Sequence, residues 1–404
     1  MKSTLIAIIS SIALVSATSP GAQALPSSNL IRDVAAGGGV LVVKADGSVV
    51  RWGRSPGGAL AAPVILDLPG KVLKVAVGGA NLGGFTGYAL LGDGTVMAWG
   101  DNDEGQLGNG ASGADRPLGT YPKPSITPVK VTGLGNIIAI GAGDKHAVAL
   151  RKDGTVWAWG SREDGVLGGG DAKPAGSLRV LSAMAPVPVP GLAGMTQIAV
   201  SGSHSLALTA DGHVMSWGRG HSGQLGVGTR LIGWKPATVP GLDNVVAVAA
   251  GNGSGAGGVS GALRRDGTVW IWGDAAAGMM GNGQRPGSPD EAGGRILLPL
   301  QVNGIAGATQ LAIGGGNVAA LLGDGTLRMW GHNGYGESGT GSANAYELRP
   351  VKTALTGVAA VYLGNMRSYA VRTDGTFWIW GFPYTPGAGI LAKTWKVPTR
   401  LDLP

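Results

Sequence analysis

An Asp-Gly pair followed by Trp-Gly recurs seven times in this chain of 404 residues, and no other feature restricts the possible folds as much. The paired positions are Asp46 and Trp52, Asp93 and Trp99, Asp153 and Trp159, Asp211 and Trp217, Asp266 and Trp272, Asp324 and Trp330, and Asp374 and Trp380. Successive Asp residues lie 47, 60, 58, 55, 58 and 50 residues apart. Such a period marks a repeat protein, in which each unit is one supersecondary element unable to bury its apolar faces alone.

The order within a unit is constant. An apolar segment ending in Gly (Ile137 to Gly141) precedes a second one (His146 to Leu150), then come the Asp-Gly turn, the Trp-Gly strand and a Pro-containing segment such as Pro128 to Val131 or Pro236 to Pro240. Asp-Gly between apolar runs is a hairpin signal, expected here as a two-residue turn with positive φ. The Trp-Gly strands, as in Thr155 to Trp159, are apolar on both faces, so a neighbour must cover each side. The Pro-containing segment lacks one amide donor and belongs at an outer edge. Four antiparallel strands per unit and seven units predict an all-β, seven-bladed β-propeller. Open stacking would need polar end caps, and none is visible. The last segment, Val397 to Pro404, is an outer-type strand expected to help close the ring beside the first unit.

These copies carry a family resemblance. Apolar-Ala-x-Gly, x-x-His-x-Leu-Ala-Leu, Asp-Gly-x-Val-x-x-Trp-Gly and Gly-Gln-Leu-Gly, fullest at Ile138 to Gly168 and Ile198 to Gly226, resemble the repeat of the regulator of chromosome condensation family. The resemblance implies a seven-bladed propeller. The copies have diverged: the second-strand His stands only at His146 and His204, Gly-Gln-Leu-Gly becomes Gly-Met-Met-Gly at 278–281, and unit seven has Phe382 to Gly389 instead. The Gly-Trp-Arg-His-Thr motif of light-sensing plant members is absent.

Residues 1–24 differ from the rest. Lys2, the apolar run Leu5 to Val15 and Ala22-Gln23-Ala24 read as a secretory signal peptide, leaving residues 25–404 as a single propeller domain. The expected location is therefore periplasmic or secreted, with no membrane span after cleavage. There is no cysteine, which removes disulfides and thiolate chemistry together. The formal charge is +7 with basic residues scattered, Arg151-Lys152 and Arg264-Arg265 being the nearest to clusters, so a nucleic-acid track is not expected.

Ten of the twelve Trp fall at fixed repeat positions, counting Trp157, Trp270 and Trp378, and are assigned to packing between blades. Trp234 and Trp395 do not repeat and are placed in loops as recognition candidates. Asp101 to Glu104 opens like a calcium loop but lacks the distal Glu. His204, His213 and His221 share one unit without a carboxylate at ligand spacing, and Gly253 to Gly258 precedes a strand rather than a helix. No metal, cofactor or catalytic residue is assigned.

Function is then expected in segments that do not repeat, because a rigid scaffold fixes loops that vary. These are 109–128, 169–186, 281–299 and 332–350, with 79–86 and 251–258 between first and second strands. The partner-binding candidates are Arg116, Tyr121, Trp234, Arg285, Arg295, Tyr335, Tyr346, Arg349 and Trp395, Tyr and Arg being residue types that anchor interfaces. The expected function is a non-catalytic, exported, monomeric scaffold that presents loops to a protein. The resemblance adds a secreted bacterial branch that includes a β-lactamase inhibitor. It also offers two alternatives: guanine-nucleotide exchange on a small GTPase, or a glycan-binding or enzymatic site in the central depression.

Overall fold

The computed structural model describes residues 30–54, 60–79, 84–110, 124–170, 182–252, 257–284, 294–382 and 395–404. The expected signal peptide and the candidates Arg116, Tyr121 and Arg285 lie outside them. The described residues form seven four-stranded antiparallel sheets, each with its strands in chain order. We call them blades 1 to 7, covering 31–66, 72–130, 137–188, 195–238, 245–301, 308–352 and 358–400. This is the expected seven-bladed propeller. First strands of all seven blades line an axial cavity of about 390 Å³, and Pro-containing strands form the rim.

The Asp-Gly turns differ from expectation in one respect. In blade 1, Lys44 N–H donates to Ser48 O and Gly47 N–H to Lys44 O, so three residues form the loop and only Gly takes a positive φ, 91°. That is a type I turn closed by a left-handed Gly, not a two-residue turn. The Asp side chain explains it. Asp46 accepts Ser48 N–H at 2.8 Å, and Asp93, Asp153, Asp266, Asp324 and Asp374 accept the equivalent Thr N–H at 2.8–3.0 Å. These bonds hold the first turn in an ordinary conformation. For Asp93 and Asp324 the same N–H bonds are the main reason the carboxyl titrates below its usual range.

The core is a series of interfaces between neighbouring sheets. Trp99, Trp159, Trp217, Trp272, Trp330 and Trp380 are fully buried there. Each such indole is a large apolar burial with one donor that needs a partner, and for all but Trp99 the preceding blade supplies it. The indole N–H of Trp159 donates to Gln106 O, Trp217 to Val166 O, Trp272 to Gln224 O, Trp330 to Met279 O and Trp380 to Glu337 O, at 2.7–3.0 Å. The acceptors all lie inside the Gly-x-x-Gly element, which the sequence alone reads as a strand connection.

The same element makes a second bond. Two residues beyond it, Gly110, Gly170, Gly228, Gly283 and Gly341 donate N–H to the next blade's outer strand, at Met184, Trp234, Leu297, Leu348 and Lys396 O, over 2.8–3.0 Å. Gly-x-x-Gly is therefore an inter-blade latch. Its last Gly is required on two counts: Gly226 has φ 69°, and a Cβ there would lie 2.6 Å from the Trp272 indole nitrogen. Blade 1 has no such element, and Trp99 Nε1 has no partner among the described residues.

Among the described residues the ring closes without sharing a strand. Trp395–Arg400 pairs with Phe377–Gly381 of its own blade. Blades 7 and 1 meet through a cluster containing Val34, Val42, Trp52, Tyr369 and Phe377, and Lys44 Nζ donates to the Pro404 carbonyl.

Candidate functional site

Strand direction gives the ring two unlike faces. One carries the Asp-Gly turns. The other carries the Gly-x-x-Gly latches, the loops between first and second strands, and the starts of the outer strands. All the described candidates lie on this second face, the loop face.

Two histidines near it belong to the scaffold. His204 bridges Ser201 Oγ through Nδ1 at 2.6 Å and Ser260 Oγ of blade 5 through Nε2 at 2.7 Å. His146 faces Ser205 of blade 4 at 3.5 Å, and Asn317 of blade 6 stands in the same register and donates to Ser368 at 3.1 Å. Burial depresses both imidazoles, His146 to about 4 and His204 to about 3, with the nearby His146 adding to the effect on His204. They are neutral inter-blade bridges at physiological pH. His213 and His221 are exposed elsewhere, the latter against Arg230 O. Among the described residues no three His, Asp or Glu side chains come together as a metal site. Asp101 and Asn102 are committed to Phe85 N–H and Leu107 N–H, as a repeat loop requires.

The non-repeating candidates converge in part. Tyr335 and Tyr346 lie on either side of His332, with ring centroids 5.8 and 5.6 Å away, and Phe382 of blade 7 meets Tyr335 edge-on at 4.7 Å. Both tyrosines are exposed, at 36% and 40%. The support beneath them is a substitution within the latch. Gln106 and Gln224 accept the N–H two residues earlier at 2.8 Å; in blade 6 Glu337 takes this role for Tyr335 N–H at 2.9 Å. Its other oxygen bonds His332 Nδ1 at 2.7 Å. This bond raises the imidazole above its ordinary value, although burial works against it. Glu337 is 1% exposed, so the pair is a fixed base for the aromatic group.

Aligned on the outer-strand Pro, the remaining candidates trace the rim of blades 4 to 7. Blade 4 presents Trp234-Lys235, blade 5 Arg295, blade 6 Tyr346 and Arg349, and blade 7 Trp395-Lys396. Trp234 and Trp395 therefore start outer strands instead of occupying loops, and Trp395 packs partly against the core on both sides of blade 7. Arg295 stands in register with Asp274, whose carboxyl is raised by burial against the opposing Ala276 N–H and Arg295 charge. Sequence reasoning did not select His332, Phe382, Lys235 or Lys396; each stands at a position that varies from unit to unit, so no motif marks it.

On the turn face, Trp157, Trp270 and Trp378 are half-buried, each under an Arg guanidinium 5.3–5.8 Å from the ring centroid. Their indole N–H groups bond Thr155, Thr268 and Thr376. Trp270 and Trp378 also pack partly against the inter-blade clusters, at their solvent edge, while the contacts of Trp157 are with its own blade.

Comparison with known proteins agrees with this architecture. The "E3 ubiquitin-protein ligase HERC2" of Homo sapiens is 28% identical over 350 residues, covering 83% of this chain but 7% of that protein. The "Ultraviolet-B receptor UVR8" of Arabidopsis thaliana is 28% identical over 332 residues, 80% of this chain and 68% of its own length. Among solved structures, Prp20p from Saccharomyces cerevisiae, described with its binding properties to Gsp1p and histones, superposes with a TM-score of 0.64 at 25% identity, covering 82% of this chain and 76% of that one. The model of the RCC1-like domain matches residues 69–402, and the chain belongs to that family.

Proposed function

We propose that this protein is an exported, non-catalytic binding protein that presents the loop face of blades 4 to 7 to a protein partner outside the cytoplasm. The observation that carries this is the exposed group of Tyr335, Tyr346 and His332 on the buried Glu337, at positions where the repeat is broken. Exposed aromatic rings held in one geometry lose little entropy on binding. The family supports the reading through members named for reception and for binding to other proteins. The ligase activity in the name of HERC2 belongs to a protein of which the matched region is 7%. Export rests on the charge, apolar run and Ala-x-Ala of residues 1–24.

The test is a photo-crosslinking amino acid placed at Tyr335 and, as a control, at Ile126, which is 78% exposed on the rim of blade 2. Adducts with one extracytoplasmic protein from Tyr335 and not from Ile126 are expected. Equal adducts, or none with a panel of extracytoplasmic proteins that includes β-lactamases, contradict the reading. N-terminal sequencing of the mature protein is expected to begin at Leu25; an intact Met1 contradicts export. A second reading, nucleotide exchange on a small GTPase, has the similarity to Prp20p in its favour. It requires accelerated release of labelled GDP from a GTPase, and unchanged release removes it.

A further inference from the structure

The reading above leaves open what chemistry the partner brings, and the rim supplies an argument. The seven blades share one outer-strand geometry, so the residues before each Pro can be compared directly. Over the four residues before Pro, blade 2 has Pro124-Ser125-Ile126-Thr127 and blade 3 has Ser182-Ala183-Met184-Ala185, with neither a charge nor an aromatic ring. Blades 4 to 7 carry Lys235, Arg295, Arg349 and Lys396 over the same stretch, together with Trp234, Tyr346 and Trp395. The scaffold does not require this difference, since the latch bonds use only backbone carbonyls there, at Met184 as at Trp234 and Lys396.

The side chains flank the aromatic group. Arg349 lies over Gly283 of the blade 5 loop, with its guanidinium 2.5 Å from where a Cβ would stand, so it reaches away from blade 7. Lys396 lies over Gly336, the residue between Tyr335 and Glu337. Tyr335, Tyr346 and His332 thus have a cation on each flank, and Lys235 continues the arc over Gly170 at the seam of blades 3 and 4.

The acids along this arc do not balance these cations at the surface. Among the described residues, Glu337 is bonded to His332, Asp274 is half-buried opposite Arg295, and Glu347 is 7% exposed. Among the described residues, the exposed charges before Pro on these outer strands, at Lys235, Arg349 and Lys396, are all positive; on the adjoining blade 3 latch Glu163 is exposed and Asp164 faces Arg219 at 3.9 Å. We infer that the rim of blades 4 to 7 is a docking arc for an extended acidic segment of a protein, its carboxylates paired with Lys235, Arg349 and Lys396 and its apolar side chains seated on Tyr335 and Tyr346. This rests on the loop face being the binding face. A protein segment fits better than a nucleic acid because three exposed cations spread over four blades make a dilute track for a phosphate backbone, whereas rim cations beside aromatic anchors are the usual make-up of a protein interface.

The test uses the full mature chain and a fluorescein-labelled 16-residue peptide of Glu, Asp, Leu and Gly. The controls are its Lys/Arg counterpart, a heparin octasaccharide and a 16-nucleotide single-stranded DNA. At low salt the acidic peptide is expected to bind, and the triple variant Lys235→Glu, Arg349→Glu, Lys396→Glu to weaken it at least tenfold; the Lys235→Ala, Arg349→Ala, Lys396→Ala variant should act in the same direction should charge reversal perturb folding. A turn-face triple of equal charge change, Lys130→Glu, Lys152→Glu, Arg265→Glu, should leave affinity within about twofold, since charges beyond a Debye length of about 10 Å at 0.1 M salt contribute little. Equal losses from the rim and turn-face triples, tighter binding of heparin or DNA, or no peptide binding overturns the inference. Photo-crosslinking from Tyr335 that survives the rim triple would overturn the acidic chemistry while leaving the loop-face reading standing.

Discussion

Blades 2 and 3 and blades 4 to 7 are built alike between the sheets and differ at the rim. Both halves bury the Trp of Trp-Gly and clasp the next blade through Gly-x-x-Gly. Only the second half places aromatic rings or cations within the four residues before the outer-strand Pro. The contrast separates two kinds of residue: those whose identity is fixed by a bond to the neighbouring blade, and those that no such bond explains. Trp272 and Trp234 illustrate it. The first is fully buried and donates to Gln224 O; the second contributes its carbonyl to the latch and leaves its ring half-exposed.

The contrast breaks most sharply at Trp272. Trp272→Ala is expected to cost about 3–5 kcal/mol, read as a lower denaturant midpoint at unchanged slope, whereas Trp234→Ala should cost under about 1 kcal/mol. Similar losses would mean that the rim is part of the core.

Acid tests the inter-blade histidines. His146 and His204 titrate at about 4 and about 3 in the folded protein against 6.5 ordinarily. Below pH 6.5 the unfolded chain takes up protons that the folded one refuses, so stability falls with pH by roughly 1.4 kcal/mol per pH unit for each histidine. At pH 5 this amounts to about 2 kcal/mol each. Asn317 shows that a neutral amide serves in the same register. The double variant His146→Asn, His204→Asn should therefore flatten the stability curve between pH 6.5 and 4.5, a window above the titration of the turn Asp residues. An unchanged slope would show that these rings are not the sensors.

A smaller effect is expected at the latch glycine. Gly226→Ala forces a left-handed residue and a contact with the Trp272 ring, together about 1–3 kcal/mol. The same change at Gly133, whose added Cβ would meet nothing within 4 Å, leaves only the cost of its positive φ, and is expected to be milder by about 1 kcal/mol.

Much of this ring was legible in the sequence because the same physical problem is solved repeatedly. Asp-Gly, Trp-Gly and the outer Pro each report a local requirement, respectively a turn, a buried ring and an edge strand, and seven copies turn weak local signals into an architecture. The latch was not legible, because its bonds run from Gly110 to Met184 or from Trp159 to Gln106, between residues whose pairing only the closed ring creates. The site was legible only as a set of loops. Tyr335 and Tyr346 were found as residue types, but His332, which joins them, follows Trp330-Gly331 at a position that holds Asp101, Ser161 and Arg219 in other blades and so carries no motif. Trp395 showed the reverse: a non-repeating Trp that the fold uses partly for packing.

The most direct measurement pairs stability with binding in one variant. Tyr335→Ala, Tyr346→Ala removes two exposed rings, and the account predicts a stability within about 0.5 kcal/mol of the parent together with at least tenfold weaker binding of the partner cross-linked from Tyr335. Binding that is unchanged, or that is lost only in step with stability, would contradict the claim that function resides where the repeat is broken.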